Sequence, residues 1–149
     1  MLSESEWEYV ARGGRQTARY WGEGAEGQCR HGNGADRALK RRYDNRKWKM
    51  ASCDDGHVHT APVGGYTKNG YGLYDVMGNV WEWTQDCWNG SYRGAPTDGG
   101  AWETGNCGRR VLRGGSWVNG PGILRSAIRV RDSTGYRDFL AGFRVARTY

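Results

Sequence analysis

The first helical period in the chain falls in "LSESEWEYVARGG" (residues 2–14), where Trp7, Val10 and Ala11 share one face. Ser3 with Glu6 has the spacing of a capping box, and Gly13-Gly14 supplies the stop. Between 15 and 60 no period is sustained and glycine and polar residues prevail, which predicts long irregular loops. The run "KRRYDNRK" in that stretch reads as a solvated charged face. Order returns at "TAPVGGYTKNGYGLYDVMGNVWEWTQDCW". Its "KNG" marks a turn, and Val80, Glu82 and Thr84 alternate with Trp81, Trp83 and Gln85, which predicts a short strand with an indole face. After a second loop, "NGSYRGAPTDGGAWETGNCG", come a strand "RRVLRGGSW" broken by a glycine pair and two last strands, "LRSAIRVRD" and "GFRVART". In "RSAIRVRD", Arg125, Ala127, Arg129 and Arg131 fall on one face and Ser126, Ile128, Val130 and Asp132 on the other. The pattern predicts one α+β domain over residues 1–149, loop-rich, with a small antiparallel sheet.

Composition sharpens this. The chain has 25 Gly, 8 Trp and 9 Tyr but only 2 Phe and 3 Pro, which favours many turns anchored by a few large rings over a helical bundle. Its net charge is +6, and 18 of the 22 basic residues are arginine. A basic balance raises nucleic acid as a partner. A chain so poor in lysine, however, points to guanidinium groups held in planar, multiply bonded arrangements, so nucleic acid is not the expected ligand. No apolar run reaches membrane-spanning length and no signal-peptide pattern opens the sequence. The four cysteines, 29, 53, 87 and 107, allow two disulfides, and Cys87 with Cys107 would close a mid-sized loop. Two other readings stay open: zinc held by Cys29, His31, Cys53, His57 and His59, none of them in CxxC spacing, or plain thiols.

"LSESEWEYVARGG", "GLYDVMGNVWEWTQDCW", "RVLRGGSW" and "GFRVAR", in that order, resemble the formylglycine-generating-enzyme-like (sulfatase-modifying-factor) domain, a variant of the C-type lectin fold. The resemblance runs from residue 3 to 147. It also implies that the N-terminal part of the family domain, several tens of residues with a strand pairing near the C-terminal one, is missing here. The family's founding chemistry uses two cysteines in the segment after "GGS". Here that segment is "GGSWVNGPGILRSAIR", which has no cysteine, so the expectation is a protein that is not an enzyme of this kind. The family's calcium loop maps onto Asp75, Gly78, Val80 and Glu82: a side-chain oxygen, two backbone carbonyls and a carboxylate, the hard donors Ca²⁺ takes. The competing reading pairs Asp75 and Glu82 with arginines. A second family site near Asn45 and Asp55 has the wrong spacing.

The resemblance is closest to the variable proteins of diversity-generating retroelements, whose C-terminal segment is rewritten at adenines, turning asparagine codons into NNC or NNT. Such codons cannot encode Lys, Glu, Gln, Trp or Met. Those types make up 25 of the 149 residues, so a 24-residue window should hold about four; positions 118–141 hold none. Pro121, Leu124, Arg125, Ala127, Arg129, Arg131 and Arg137 match the framework of that branch. The variable, ligand-facing set is then Val118, Asn119, Gly120, Gly122, Ile123, Ser126, Ile128, Val130, Asp132, Tyr136, Asp138 and Phe139. Chance could also explain the missing types. The resulting expectation is a non-catalytic module that displays a hypervariable face to a protein or cell-surface ligand, compatible with display on a bacterial, archaeal or viral surface. The alternative is an oxidoreductase relative or a sensory or accessory domain. Arg125, Arg129 and Arg131 should point inwards, towards acids such as Glu82, with the variable side chains forming one outward patch.

Overall fold

A computed structural model describes residues 1–43 and 47–147. It contains three helices, α1 (Glu4–Arg12), α2 (Gln28–His31) and α3 (Arg37–Arg42), and four strands, β1 (Trp81–Trp88), β2 (Asn106–Arg113), β3 (Arg129–Ser133) and β4 (Ala141–Phe143). Helix α1 begins and ends as its sequence dictates. Ser3 Oγ accepts from the Glu6 N–H (3.0 Å), Glu6 Oε2 accepts from the Ser3 N–H (2.8 Å), and Gly13 closes the helix in the left-handed region. The stretch from 15 to 60, expected to be irregular throughout, holds the two short helices. Asp36 starts α3 by accepting from the Ala38 and Leu39 amides.

The sheet order is β3-β2-β1-β4. β1–β2 and β2–β3 are antiparallel, whereas β4 lies parallel to β1, so the sheet is mixed and not wholly antiparallel. Register places Arg129, Arg113, Glu82 and Gly142 in one row across the four strands, and Val130, Leu112, Trp83 and Phe143 in the next. The two rows face opposite sides. The alternation in β1 is the predicted one, but the polar face is the buried one: Glu82, Thr84 and Asp86 lie beneath α1, while Trp81 and Trp83 are half-buried.

Burying a polar face is costly unless most of its groups are bonded. Glu82 Oε2 accepts from the Trp7 indole N–H (2.7 Å), and Arg144 grips both Glu82 oxygens (3.0 and 2.7 Å). Asp86 accepts from the Glu4 and Trp102 amides (2.6 and 2.9 Å), and the Thr84 hydroxyl donates to the Val111 carbonyl (3.2 Å). Arg113, fully buried, is paired with Glu4 and Glu8, donates to the Ser126 carbonyl (2.7 Å) and lies over the Trp7 ring. Glu4 also holds Arg129 (2.7 Å).

Around this polar centre sit two apolar clusters. Leu2, Trp7, Ala11, Tyr20, Val76 and Met77 form one; Ala35, Leu39 and Trp117 form the other, with Val118 and Leu140 packed against it. Disulfides join Cys29 to Cys53 and Cys87 to Cys107, so neither the zinc reading nor the free-thiol reading describes these cysteines. The second bridge staples the end of β1 to the start of β2.

Replacing Arg113 with Ala removes the buried partner of two α1 carboxylates, leaving Glu4 to Arg129 and Glu8 to Arg12, and should cost up to about 3–5 kcal/mol, the range for breaking a buried pair from one side. Denaturant unfolding measures it, and a loss below about 1 kcal/mol would mean that the guanidinium is not what holds α1 to the sheet.

Candidate ligand-binding surface

Strand β2 runs into Gly114 and Gly115, both left-handed (φ 93° and 82°), at a point where a Cβ on Gly115 would stand 2.4 Å from Leu124 Cδ2. The chain then folds back on itself. The Ser116 amide and hydroxyl both donate to Asn119 Oδ1 (2.8 and 2.9 Å), and the Asn119 carbonyl accepts from the Ala35 amide (2.9 Å). Asn119, expected on the displayed face, is thus part of the framework. Gly120 is a second correction: a Cβ there would meet the Lys49 carbonyl oxygen at 1.9 Å. Gly122, two residues on, faces open space.

Ser126 is the third correction. It was expected to face outwards, yet it is fully buried, its amide bonded to the Ala18 carbonyl and its own carbonyl to Arg113. Arg125, expected inside, is exposed. The cause is a turn, closed by the Ile128 amide on the Arg125 carbonyl (3.1 Å), which delays β3 until Arg129 and shifts the in–out alternation by one residue. Leu124 and Ser126 therefore point in, and after the turn Arg129 does. Arg129 behaves as expected, tied to Glu4 and to the Asn89 carbonyl (2.9 Å). Arg131 is exposed and lies over Trp88 (4.6 Å), while Glu82 is held by Arg144 and by none of these three arginines.

The remaining members of the set reach the surface to different extents. Ile123, Val130 and Phe139 are exposed, and Val118, Ile128, Asp132, Tyr136 and Asp138 are half-buried. They do not make one patch. Val118, Asn119, Gly120, Gly122 and Ile123 border a groove of about 520 Å³ whose other wall is Lys47, Trp48 and Lys49, so Asn119 and Gly120 reach the surface while serving the frame. Tyr136 and Asp138 border a second groove, about 640 Å³, with Trp83, Arg110 and Phe143. The split arises because residues 134–140 cross the sheet on the way to β4: Tyr136 sits edge-on to Trp83 (6.4 Å), and the Phe139 ring stacks on Trp117 (6.0 Å).

Asp75, Gly78, Val80 and Glu82 line one cavity of about 480 Å³. Asp75 is held in the left-handed region (φ 57°) with Oδ2 accepting from the Gly64 amide (2.6 Å), and its other oxygen is buried without a partner. That orphaned carboxylate oxygen, with backbone at 78 and 80 alongside, suits a hard cation in kind. Glu82 comes to the same cavity already engaged by Arg144 and Trp7. Among the described residues no three His, Cys, Asp or Glu side chains converge. Asn45 lies outside the described residues. Asp55 bonds the Tyr66 hydroxyl and the His57 amide, and burial pushes its carboxyl above the ordinary range. Two side chains that sequence reasoning missed, Arg113 and Arg144, hold the carboxylates behind this surface. Both lie in quoted motifs, "RVLRGGSW" and "GFRVAR", where they read only as strand residues.

Residues 1–149 match the family model described as the sulfatase-modifying factor enzyme 1-like domain. The formylglycine-generating enzyme of Streptomyces coelicolor is 37% identical over 121 residues, covering 78% of this chain and 35% of that protein. The inactive C-alpha-formylglycine-generating enzyme 2 of Mus musculus is 34% identical over 119 residues, covering 78% and 31%. Among solved structures, PvdO from Pseudomonas aeruginosa superimposes with a TM-score of 0.78 at 35% identity, covering 96% of this chain and 50% of that one. Treponema denticola variable protein 1 does so with 0.68 at 31%, covering 96% and 45%. The chain thus spans about a third of the length of these curated relatives and half or less of these solved chains.

The two neighbouring glycines give a direct test of the surface. Gly120→Ala should destabilise by roughly 1–3 kcal/mol, the usual cost of an overpacked contact, whereas Gly122→Ala should stay within about ±0.5 kcal/mol. Equal melting points for the two variants would contradict the placement of the 118–123 loop against Lys49.

Proposed function

The chain belongs to the sulfatase-modifying factor enzyme 1-like family, with its C-type lectin-like fold, and within that family we propose that it is a non-catalytic member that binds a protein or cell-surface ligand. Binding uses the side chains displayed between 118 and 139. The single observation carrying this reading is the division of that segment. Asn119, Gly120, Leu124, Ser126 and Arg129 are fixed by packing or bonds, while Gly122, Ile123 and Val130 lie at the surface on that fixed frame, and Val118 and Phe139 reach the surface with one side packed on the Trp117 cluster. Side chains free of structural duty can be exchanged without unfolding the domain. Such a frame is what a diversified segment requires.

The alternative is an oxidase of the kind some relatives are named for. It is favoured by their sequence identity and disfavoured by chemistry. A thiol-dependent oxidation needs a reactive thiolate at the site. The segment after Gly115 has no cysteine, and all four cysteines are joined in two bridges elsewhere in the fold.

We further propose that Asp75, Gly78, Val80 and Glu82 hold a structural Ca²⁺. The ion would neutralise the unpartnered Asp75 oxygen and tie the 75–82 loop to β1, with Arg144 sharing Glu82.

Two measurements follow. Incubated with a sulfatase-motif cysteine peptide, with or without copper, the protein should yield no aldehyde by mass spectrometry; the aldehyde would sink the non-catalytic reading and restore the oxidase. Saturating calcium, at about a hundredfold over Kd, should stabilise the protein by roughly 2.7 kcal/mol in a thermal scan. Asp75→Ala should remove that gain, and is a cleaner probe than Glu82→Ala, which also frees Trp7 and Arg144. Superimposable melts in calcium and in chelator would contradict the ion and leave Glu82 to its pairing with Arg144 and Trp7.

A further inference from the structure

Charge is unevenly placed along this chain. Positions 40–49 carry six basic residues (Lys40, Arg41, Arg42, Arg46, Lys47 and Lys49) against one acid, Asp44, a surplus of five in a net charge of +6. The other 139 residues are balanced to within one charge. The end of this run reaches the groove of the displayed segment, where Lys47, Trp48 and Lys49 face Val118, Gly122 and Ile123. Both lysines are exposed, Trp48 is 39% exposed, and among the described residues no acidic side chain lines the groove. Among the described ion pairs neither lysine takes part, whereas Arg41 is paired with Asp54. Arg37, Lys40 and Arg42 are exposed along α3, and Arg125 is exposed two residues past Ile123.

We infer that this groove takes a linear, densely charged polysaccharide, sulfated or rich in uronic acid. One sugar face would lie on Trp48, with acid groups meeting Lys47 and Lys49. The inference rests on the ligand-display reading of the 118–123 loop and names the ligand class of that groove. A polymer is favoured over a single acid because the cations are strung out. A six-residue helix is about 9 Å long, so charges from Arg37 to Lys49 answer to several acid groups in succession, each association releasing counterions. A glycan is favoured over single-stranded nucleic acid because a base-stacking channel needs successive aromatic platforms. This groove has one, the Trp48 indole, suited to the apolar face of a single ring.

The test titrates the whole protein with heparin, with uncharged dextran and with an oligothymidylate, at about 0.15 M salt. Heparin should bind, dextran should not, and the oligothymidylate should bind more weakly than heparin. Lys47→Gln with Lys49→Gln should weaken heparin binding about tenfold and flatten its salt dependence. A charge-matched pair at exposed sites outside the run, Lys68→Gln with Arg93→Gln, should change it less than about twofold. Trp48→Ala should lower affinity while leaving the salt dependence in place. Equal losses in the two pairs, no heparin binding, or tighter binding of the oligothymidylate would overturn the inference. Exchanging Val118 and Ile123 for Ser and Asn reports separately on display. If that swap leaves heparin affinity unchanged while the lysine pair keeps its effect, the polyanion site stands and the display reading of the loop fails.

Discussion

The fold depends on a set of carboxylates buried under its first helix and the arginines that neutralise them. Arg113 has no solvent exposure and joins Glu4 and Glu8 of α1 to the end of β2 and to the Ser126 carbonyl. Arg144 does the same for Glu82 on the other side of Trp7, whose indole N–H and ring touch both halves of the network. Charges in such a place are stable only as a bonded set, since either partner left alone carries its full desolvation cost. With four strands and, among the described residues, one helix longer than two turns, the domain replaces much of the apolar core a larger sheet would have with this polar one. Three of the 18 arginines, Arg113, Arg129 and Arg144, serve that network directly, so the arginine count does not by itself signal nucleic acid.

The same network organises the surface. Because Arg113 fixes the Ser126 backbone and Glu4 fixes Arg129, the chain leading into β3 is anchored from beneath at two points three residues apart. Asn119 and Gly120 anchor the start of that stretch against Ser116, Ala35 and Lys49. Between the anchors Gly122, Ile123 and Val130 are exposed, and that freedom is the physical content of a display surface. Its two grooves differ in character, one walled by lysines and an indole, the other by Trp83, Tyr136 and Phe143.

Sequence reasoning was most accurate where the determining contacts are local. The capping box of α1 and its glycine stop involve neighbours in the chain, and they read directly. The alternation of β1 was equally visible, but not which side is buried: Glu82, Thr84 and Asp86 are inside because residues 4, 7, 102, 111 and 144 bond them, and no local pattern holds that information. Codon arithmetic picked out residues 118–141 by composition and is blind to burial, so it placed Ser126 beside Val130. One turn at 125–128 inverts the alternation on which the inward arginines were assigned. Gly120 and Gly122 are indistinguishable as letters; a carbonyl some seventy residues earlier separates them.

The central claim is that framework and display are interleaved in the 118–139 segment, and one selection tests it. Randomise Gly122, Ile123 and Val130 with NNC/NNT codons in one library and Gly120, Leu124, Ser126 and Arg129 in another, display both, and sort for resistance to protease. The account predicts that most of the first library survives with a parental unfolding profile and that nearly all of the second is cleaved. Similar survival of the two libraries would contradict it.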